Sequence, residues 1–136
     1  MNKQRRPAAH LILLTSFESF AGHAPDVIPL HSSEESSSIV LGRGSQSKPV
    51  DFILSAKSNI DGVEIISRHQ ARITNVITQA VDSGLGVSFV LDDLHSLNGV
   101  FVNRARVDTG VVLCGKCAVL CSVCNYSPYA LYCIVP

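Results

Sequence analysis

The sequence predicts an all-β fold in which two antiparallel sheets pack as a sandwich, and three observations lead there. Short β-prone runs recur along the chain, separated by Gly, Pro, Ser, Asn and Asp. Apolar residues are scarcely ever spaced at the helical period. Where a run is long enough to read, as in "SFVLDD", it alternates, with Phe89 and Leu91 on one face. At 136 residues and 46% hydrophobic composition, the chain can bury one proper core and not two.

The first strand is expected in "HLILLTS", a continuous apolar run that suits a strand covered on both faces. The basic start and the small residues of "AGHA" give this region some likeness to a secretory leader. Its uninterrupted apolar stretch, residues 11–14, is too short for one, and Glu18 lies between that stretch and the small residues. Residues 1–8 are therefore expected to be a disordered segment, with one domain over residues 9–136. Further strands are expected in "DVIPL", "SIVLGR", "VDFIL", "ARITNVI", "VSFVL", "VFVN", "GVVL", "AVLCSV" and "ALYCIV". Turn chemistry falls between them at residues 31–38, 59–62 and 82–86. The pair Asn98-Gly99 is the commonest chemistry for a two-residue hairpin, which needs positive φ at both positions.

Lysine plus arginine equals aspartate plus glutamate at 11 each, so a general field for nucleic acid is absent. No apolar stretch is long enough to span a membrane. The five cysteines all follow Leu113, an odd number in one region, which fits a reducing, intracellular compartment (nuclear or cytoplasmic) better than a disulfide framework. "CGKCAVLCSVC" holds two Cys-x-x-Cys pairs, but only three residues separate them, far fewer than in a zinc ribbon. No metal and no cofactor is expected. "GRGSQSKP" fails as a nucleotide phosphate loop, because Ser47 and Pro49 stand where glycine and a hydroxyl residue belong. Ser67, His69 and Asp93 do not read as a hydrolase, since no nucleophile elbow surrounds Ser67 and neighbouring strand residues point apart. The domain is not expected to be an enzyme.

Three segments carry polar side chains out of apolar strands. They are Gly42-Arg43; Ser67-Arg68-His69-Gln70-Ala71; and Asp93-Leu94-His95-Ser96-Leu97-Asn98-Gly99, followed by Val100-Phe101-Val102-Asn103. In this order the chain resembles a forkhead-associated (FHA) domain, a β-sandwich related to the SMAD-like sandwiches, with ligand loops at one end. The resemblance implies a non-catalytic module that binds phosphothreonine peptides and docks a phosphorylated partner protein. It implies phosphopeptide contacts from Arg43, Ser67, Arg68, Leu97 and Asn98, and loop support from Gly42, Gln70, Asp93, Gly99 and Asn103. The chemistry agrees: a phosphothreonine presents nearly two charges and three acceptor oxygens. A guanidinium fork suits these, and an Asn amide can bracket a peptide main chain. Leu97 or Val100 is expected to border the threonine methyl.

Two positions depart from the family pattern. Gln70 stands where the family has a bracing histidine, and its amide can both donate and accept. Leu97 stands where threonine is frequent, which leaves the Leu97 N–H as the donor expected there and shifts weight to Arg43 and Ser67. Within the resemblance, Cys117, Val119 and Cys121 fill one face of a strand, Cys133 is core, and Arg104 and Arg106 are a solvated edge. The expected module is monomeric, of a kind found inside longer chains. The rival expectation is a domain of the same fold used for phosphate-independent contact or self-association.

Overall fold

A computed structural model describes the backbone of residues 9–16, 20–31, 37–58, 62–80, 84–108, 110–113, 118–120, 123–124, 127–128 and 130–135, and side chains over 9–13, 22–31, 37–57, 62–76, 88–108 and 110–113. The strands in chain order are β1 (Ala9–Ser16), β2 (Phe20–His23), β3 (Val27–Leu30), β4 (Ser38–Gly42), β5 (Phe52–Ile53), β6 (Ser55–Ser58), β7 (Ala71–Ala80) and β8 (Gly84–Asp93). They continue with β9 (Phe101–Val102), β10 (Ala105–Arg106), β11 (Val111–Leu113), β12 (Ala118–Leu120), β13 (Val123–Cys124), β14 (Ser127–Pro128) and β15 (Ala130–Val135). One sheet has six strands in the order β10-β9-β12-β15-β1-β3, and the other five in the order β11-β8-β7-β4-β5. Among the described strands, only β4 and β5 pair in parallel, through Leu41↔Phe52 and Gly42↔Ile53. The all-β class and the two antiparallel sheets are as the sequence predicts.

The core forms where the inward faces of the two sheets meet. Leu11, Ile28, Leu30 and Val102 come from one sheet, and Leu41, Ile73, Phe89, Leu91 and Leu113 from the other. Each aliphatic side chain buried in this way contributes about 1.5–3 kcal/mol. The period of two is plain in β7, where Ala71, Ile73 and Asn75 are buried and Arg72 and Val76 exposed. It holds for β1 as well, which corrects the expectation of a strand covered on both faces. Ala9 and Leu11 are buried while His10 and Ile12 keep part of their surface in solvent.

Three further differences have identifiable causes. The β7–β8 hairpin runs past its expected turn, with Gly84 and Gly86 already paired to Ala80 and Thr78. The long ladder there outweighs the weak strand preference of glycine. The pair β2–β6 has little β-branched character and was not expected, and Glu64 supports it by accepting from Ala56 N at 2.8 Å. Asn98-Gly99 is not a hairpin turn, because β8 and β9 belong to different sheets and only Gly99 of the pair has positive φ, at 88°. The two-residue turn is Asn103-Arg104, with φ of 48° and 71°, joining β9 to β10. The expected disordered segment 1–8 lies outside the described residues, as do Cys117 and Cys121 and the side chains of Val119 and Cys133.

The register fixes where the loops emerge. Leu41 of β4 pairs with Ala71 of β7, and Ala71 pairs in turn with Asp93 of β8. The chain leaving β4, the chain entering β7 and the chain leaving β8 therefore meet at one end of the five-stranded sheet.

Candidate functional site

Backbone bonds first dock the loop after β4 onto the loop before β7. Arg43 N donates to Ser67 O at 3.0 Å and Gly44 N to Arg68 O at 2.9 Å. The approach is so close that a Cβ on Gly42 would stand 2.3 Å from the Arg68 carbonyl oxygen. Glycine is the only residue with room there. His69 adds a side-chain tie across the same seam, with Nε2 3.2 Å from Pro49 O.

The third loop, residues 94–100, is folded on itself before it meets the others. Ser96 N donates to Asp93 Oδ1 at 2.9 Å, and Gly99 N donates to Ser96 Oγ at 3.1 Å. Three bonds then carry it onto the second loop. Leu97 N donates to Ser67 Oγ at 3.0 Å, Asn98 Nδ2 to Ile65 O at 2.9 Å, and Gln70 Nε2 to Gly99 O at 2.9 Å. Gln70 Oε1 in turn accepts from Ser67 N at 2.9 Å. A glutamine thus braces two loops through one fully buried side chain, at 0% exposure.

Arg43, Ser67, Arg68, Leu97 and Asn98 are brought to the same end of the sandwich, but they are not equally available. Arg43 Nε donates to Ile66 O at 3.2 Å, which orients the guanidinium and leaves its terminal nitrogens without partners among the described residues. Arg68 is exposed, and its side chain also lacks a partner among them. Ser67 Oγ accepts one bond and keeps its own proton to donate. Asn98 keeps Oδ1 free of any described partner. Residues 43–50 and 65–70 contain Arg43, Lys48 and Arg68 and no carboxylate, so these two loops are locally basic in a chain of zero net charge.

The geometry bears on two expectations at Leu97 and Val100. The Leu97 N–H is not an outward donor, because Ser67 Oγ already occupies it. Val100 is 0% exposed and cannot border a ligand, whereas Leu97 is 80% exposed. Of the supporting residues, Gly42, Gln70, Asp93 and Gly99 lie within the seams just described. Asn103 follows β9 and turns the chain there, with φ of 48°.

Sequence reasoning did not single out the Ile65 and Ile66 carbonyls, since a backbone acceptor leaves no mark in residue type. Arg106, read from the sequence as part of a solvated edge, is exposed, and its guanidinium also lies by Gly99, so that a Cβ there would be 3.1 Å from Arg106 Nε. The β9–β10 turn sets Arg106 opposite Phe101. Beside the loops a polar cleft of about 450 Å³ is lined by Asp93, His95, Ser96, Arg106, Val107 and Asp108. At the other end of β4 and β7, a smaller apolar slot of about 220 Å³ lies by Ile39, Ile73 and Phe89. Of these two, the cleft beside the loops is the one lined by charged side chains. No group of three or more His, Cys, Asp or Glu suited to a metal occurs among the described residues. No described helix is long and apolar enough to cross a membrane.

Among solved structures, the chain is similar to the FHA domain of the CT664 protein from Chlamydia trachomatis, at 21% identity and a TM-score of 0.57, over 94% of this chain and 96% of that one. It is similar to the yeast Dun1 FHA domain, solved with a doubly phosphorylated (pT) peptide derived from Rad53 SCD1, at 20% identity and a TM-score of 0.56, over 99% and 78%. It also resembles Mycobacterium tuberculosis EmbR in complex with a low affinity phosphopeptide, at 23% identity and a TM-score of 0.54, over 93% of this chain and 24% of that one. No curated protein matches the sequence. The family model for the FHA domain matches residues 39–117, from within β4 to the residue before β12, and so includes all three loops. Spanning more than half of the sequence, and joined to a sandwich of the same fold, that match places the chain in the FHA domain family.

Proposed function

We propose that this domain binds a phosphothreonine-containing segment of a partner protein and docks that partner without catalysing a reaction. The observation that carries this reading is the convergence of Arg43, Ser67 and Asn98 on loops tied together by the Ser67 Oγ–Leu97 N and Gln70 bonds. Such ties hold donors in place before the ligand arrives, which lowers the ordering cost of binding. The phosphopeptides in the Dun1 and EmbR complexes support the same ligand class.

In this reading Arg43 takes the phosphate through its terminal nitrogens, Ser67 donates its hydroxyl, and Arg68 adds charge from the same loop. Asn98 accepts from the ligand main chain through Oδ1. Exposed Leu97 offers the apolar contact that favours threonine, with its methyl, over serine.

A peptide library carrying phosphothreonine, with phosphoserine and unphosphorylated counterparts, tests the proposal against wild type and Arg43→Ala. Removing one partner of a desolvated charged contact costs about 2–5 kcal/mol, so the variant should bind at least ~30-fold more weakly. Phosphoserine should bind less tightly than phosphothreonine. Equal affinity for unphosphorylated peptides, or binding untouched by Arg43→Ala, would establish the phosphate-independent use of the fold instead.

A further inference from the structure

The dipeptide that carries the proposed main-chain contact is also the most chemically labile pair in a polypeptide. In Asn-Gly, the glycine nitrogen can attack the asparagine side chain because no Cβ obstructs it. Here the two nitrogens that such a reaction uses are both held. Gly99 N–H donates to Ser96 Oγ at 3.1 Å, and the departing group, Asn98 Nδ2, donates to Ile65 O at 2.9 Å. Gly99 is buried, Ser96 is 5% exposed, and Ser96 is itself fixed through Asp93. Gly99 O is held as well, by Gln70 Nε2.

We propose that Asn98 is a latent site of spontaneous deamidation, and that the Ser96 hydroxyl is the brake that keeps it closed. The step is balanced by water alone. Gly99 N loses its proton to solvent base and bonds to Asn98 Cγ; the Cγ–Nδ2 bond breaks and the nitrogen leaves as ammonia. Water then opens the five-membered succinimide at either carbonyl, giving aspartate or isoaspartate at position 98. Deprotonation of Gly99 N requires solvent to reach it and its bond to Ser96 Oγ to break, so loop opening must precede chemistry.

The product does not fit the site that formed it. An aspartate at 98 sets a carboxylate oxygen against the Ile65 carbonyl, where Nδ2 donates now, so two acceptors face each other. Isoaspartate adds a methylene to the main chain between two anchored points, Leu97 N and Gly99 O. Either product also brings a negative charge against the basic 65–70 stretch, which Asn98 already contacts at Ile65 O. Deamidation therefore converts the loop end irreversibly, whatever ligand it takes.

The test tracks mass at residue 98 by peptide mapping during incubation in mildly alkaline buffer. Samples are the full chain as wild type, Ser96→Ala and Ser96→Thr, beside a free peptide of residues 93–103. Wild type should convert much more slowly than the peptide. Ser96→Ala should convert about five- to thirtyfold faster than wild type, the factor expected when the one bond that holds the buried Gly99 N–H is lost. Ser96→Thr, which keeps the accepting oxygen, should stay near wild type. Wild type converting as fast as the free peptide, or an unchanged rate in Ser96→Ala, would overturn the proposal. So would an equal acceleration at Asn75 and Asn103 in the same digests, since the cause would then be general unfolding and not loss of a local brake.

Discussion

Gln70 commits both ends of its amide to backbone groups of two different loops, and it does so without any contact with solvent. Removing it leaves a donor, Ser67 N, and an acceptor, Gly99 O, without partners beneath the loops. Each buried polar group stranded in this way costs about 1–3 kcal/mol. Gln70→Leu should therefore lower the unfolding free energy by at least ~2 kcal/mol, read from urea denaturation. Affinity for the proposed phosphopeptide should fall with it, although this side chain is fully buried. At this scale the sequence was informative about identity and silent about orientation. Arg43, Ser67 and Asn98 were legible because their residue types and order are specific. What aims them was not, because the Ile65 and Ile66 carbonyls and the Leu97 N–H belong to the main chain, which every residue has.

The turn between β9 and β10 shows how an element can be read correctly in kind and wrongly in place. Asn98-Gly99 has the favoured composition for a two-residue turn, yet its chain crosses from one sheet to the other. Asn103-Arg104 has the conformation, with an arginine at φ 71° where glycine is the usual choice. A side chain in this region costs about 1–2 kcal/mol, partly offset by the greater entropy that glycine loses on folding. Arg104→Gly should thus stabilise the domain by less than ~1 kcal/mol, seen as a small rise in thermal midpoint with peptide binding unchanged. Strands rich in Val, Ile and Leu, such as β3, β4 and β8, were legible because side-chain pattern and pairing agree. β2 and β6 were not, because FAGH and SAKS contain no β-branched residue to mark a strand.

The FHA family match covers residues 39–117, but the sandwich extends beyond it on both sides. β1 and β3 precede that stretch and β12 and β15 come after it, and together they supply four strands of the six-stranded sheet. They bring Leu11, Ile28 and Leu30 to the core. A fragment of residues 39–117 should therefore fail to fold, with a disordered circular dichroism spectrum and collapsed amide dispersion, even though all the ligand loops are present. Native-like dispersion in the fragment would mean that the five-stranded sheet is a sufficient core.

The pairing of β1 with β15 also has a mechanical consequence. His10 lies opposite Val135 at one end of that pair, while Thr15 lies opposite Leu131 at the other. The register continues from Leu131 through Leu120 to Phe101, where the chain has just left the ligand loops. A pulling force applied through the two flanking segments reaches the pair at its His10–Val135 end and loads its hydrogen bonds one at a time. The strands come apart as a zipper, at low force, and the rupture travels toward the loops instead of starting among them. Under tension the β1–β15 pair is therefore loaded before the loop end.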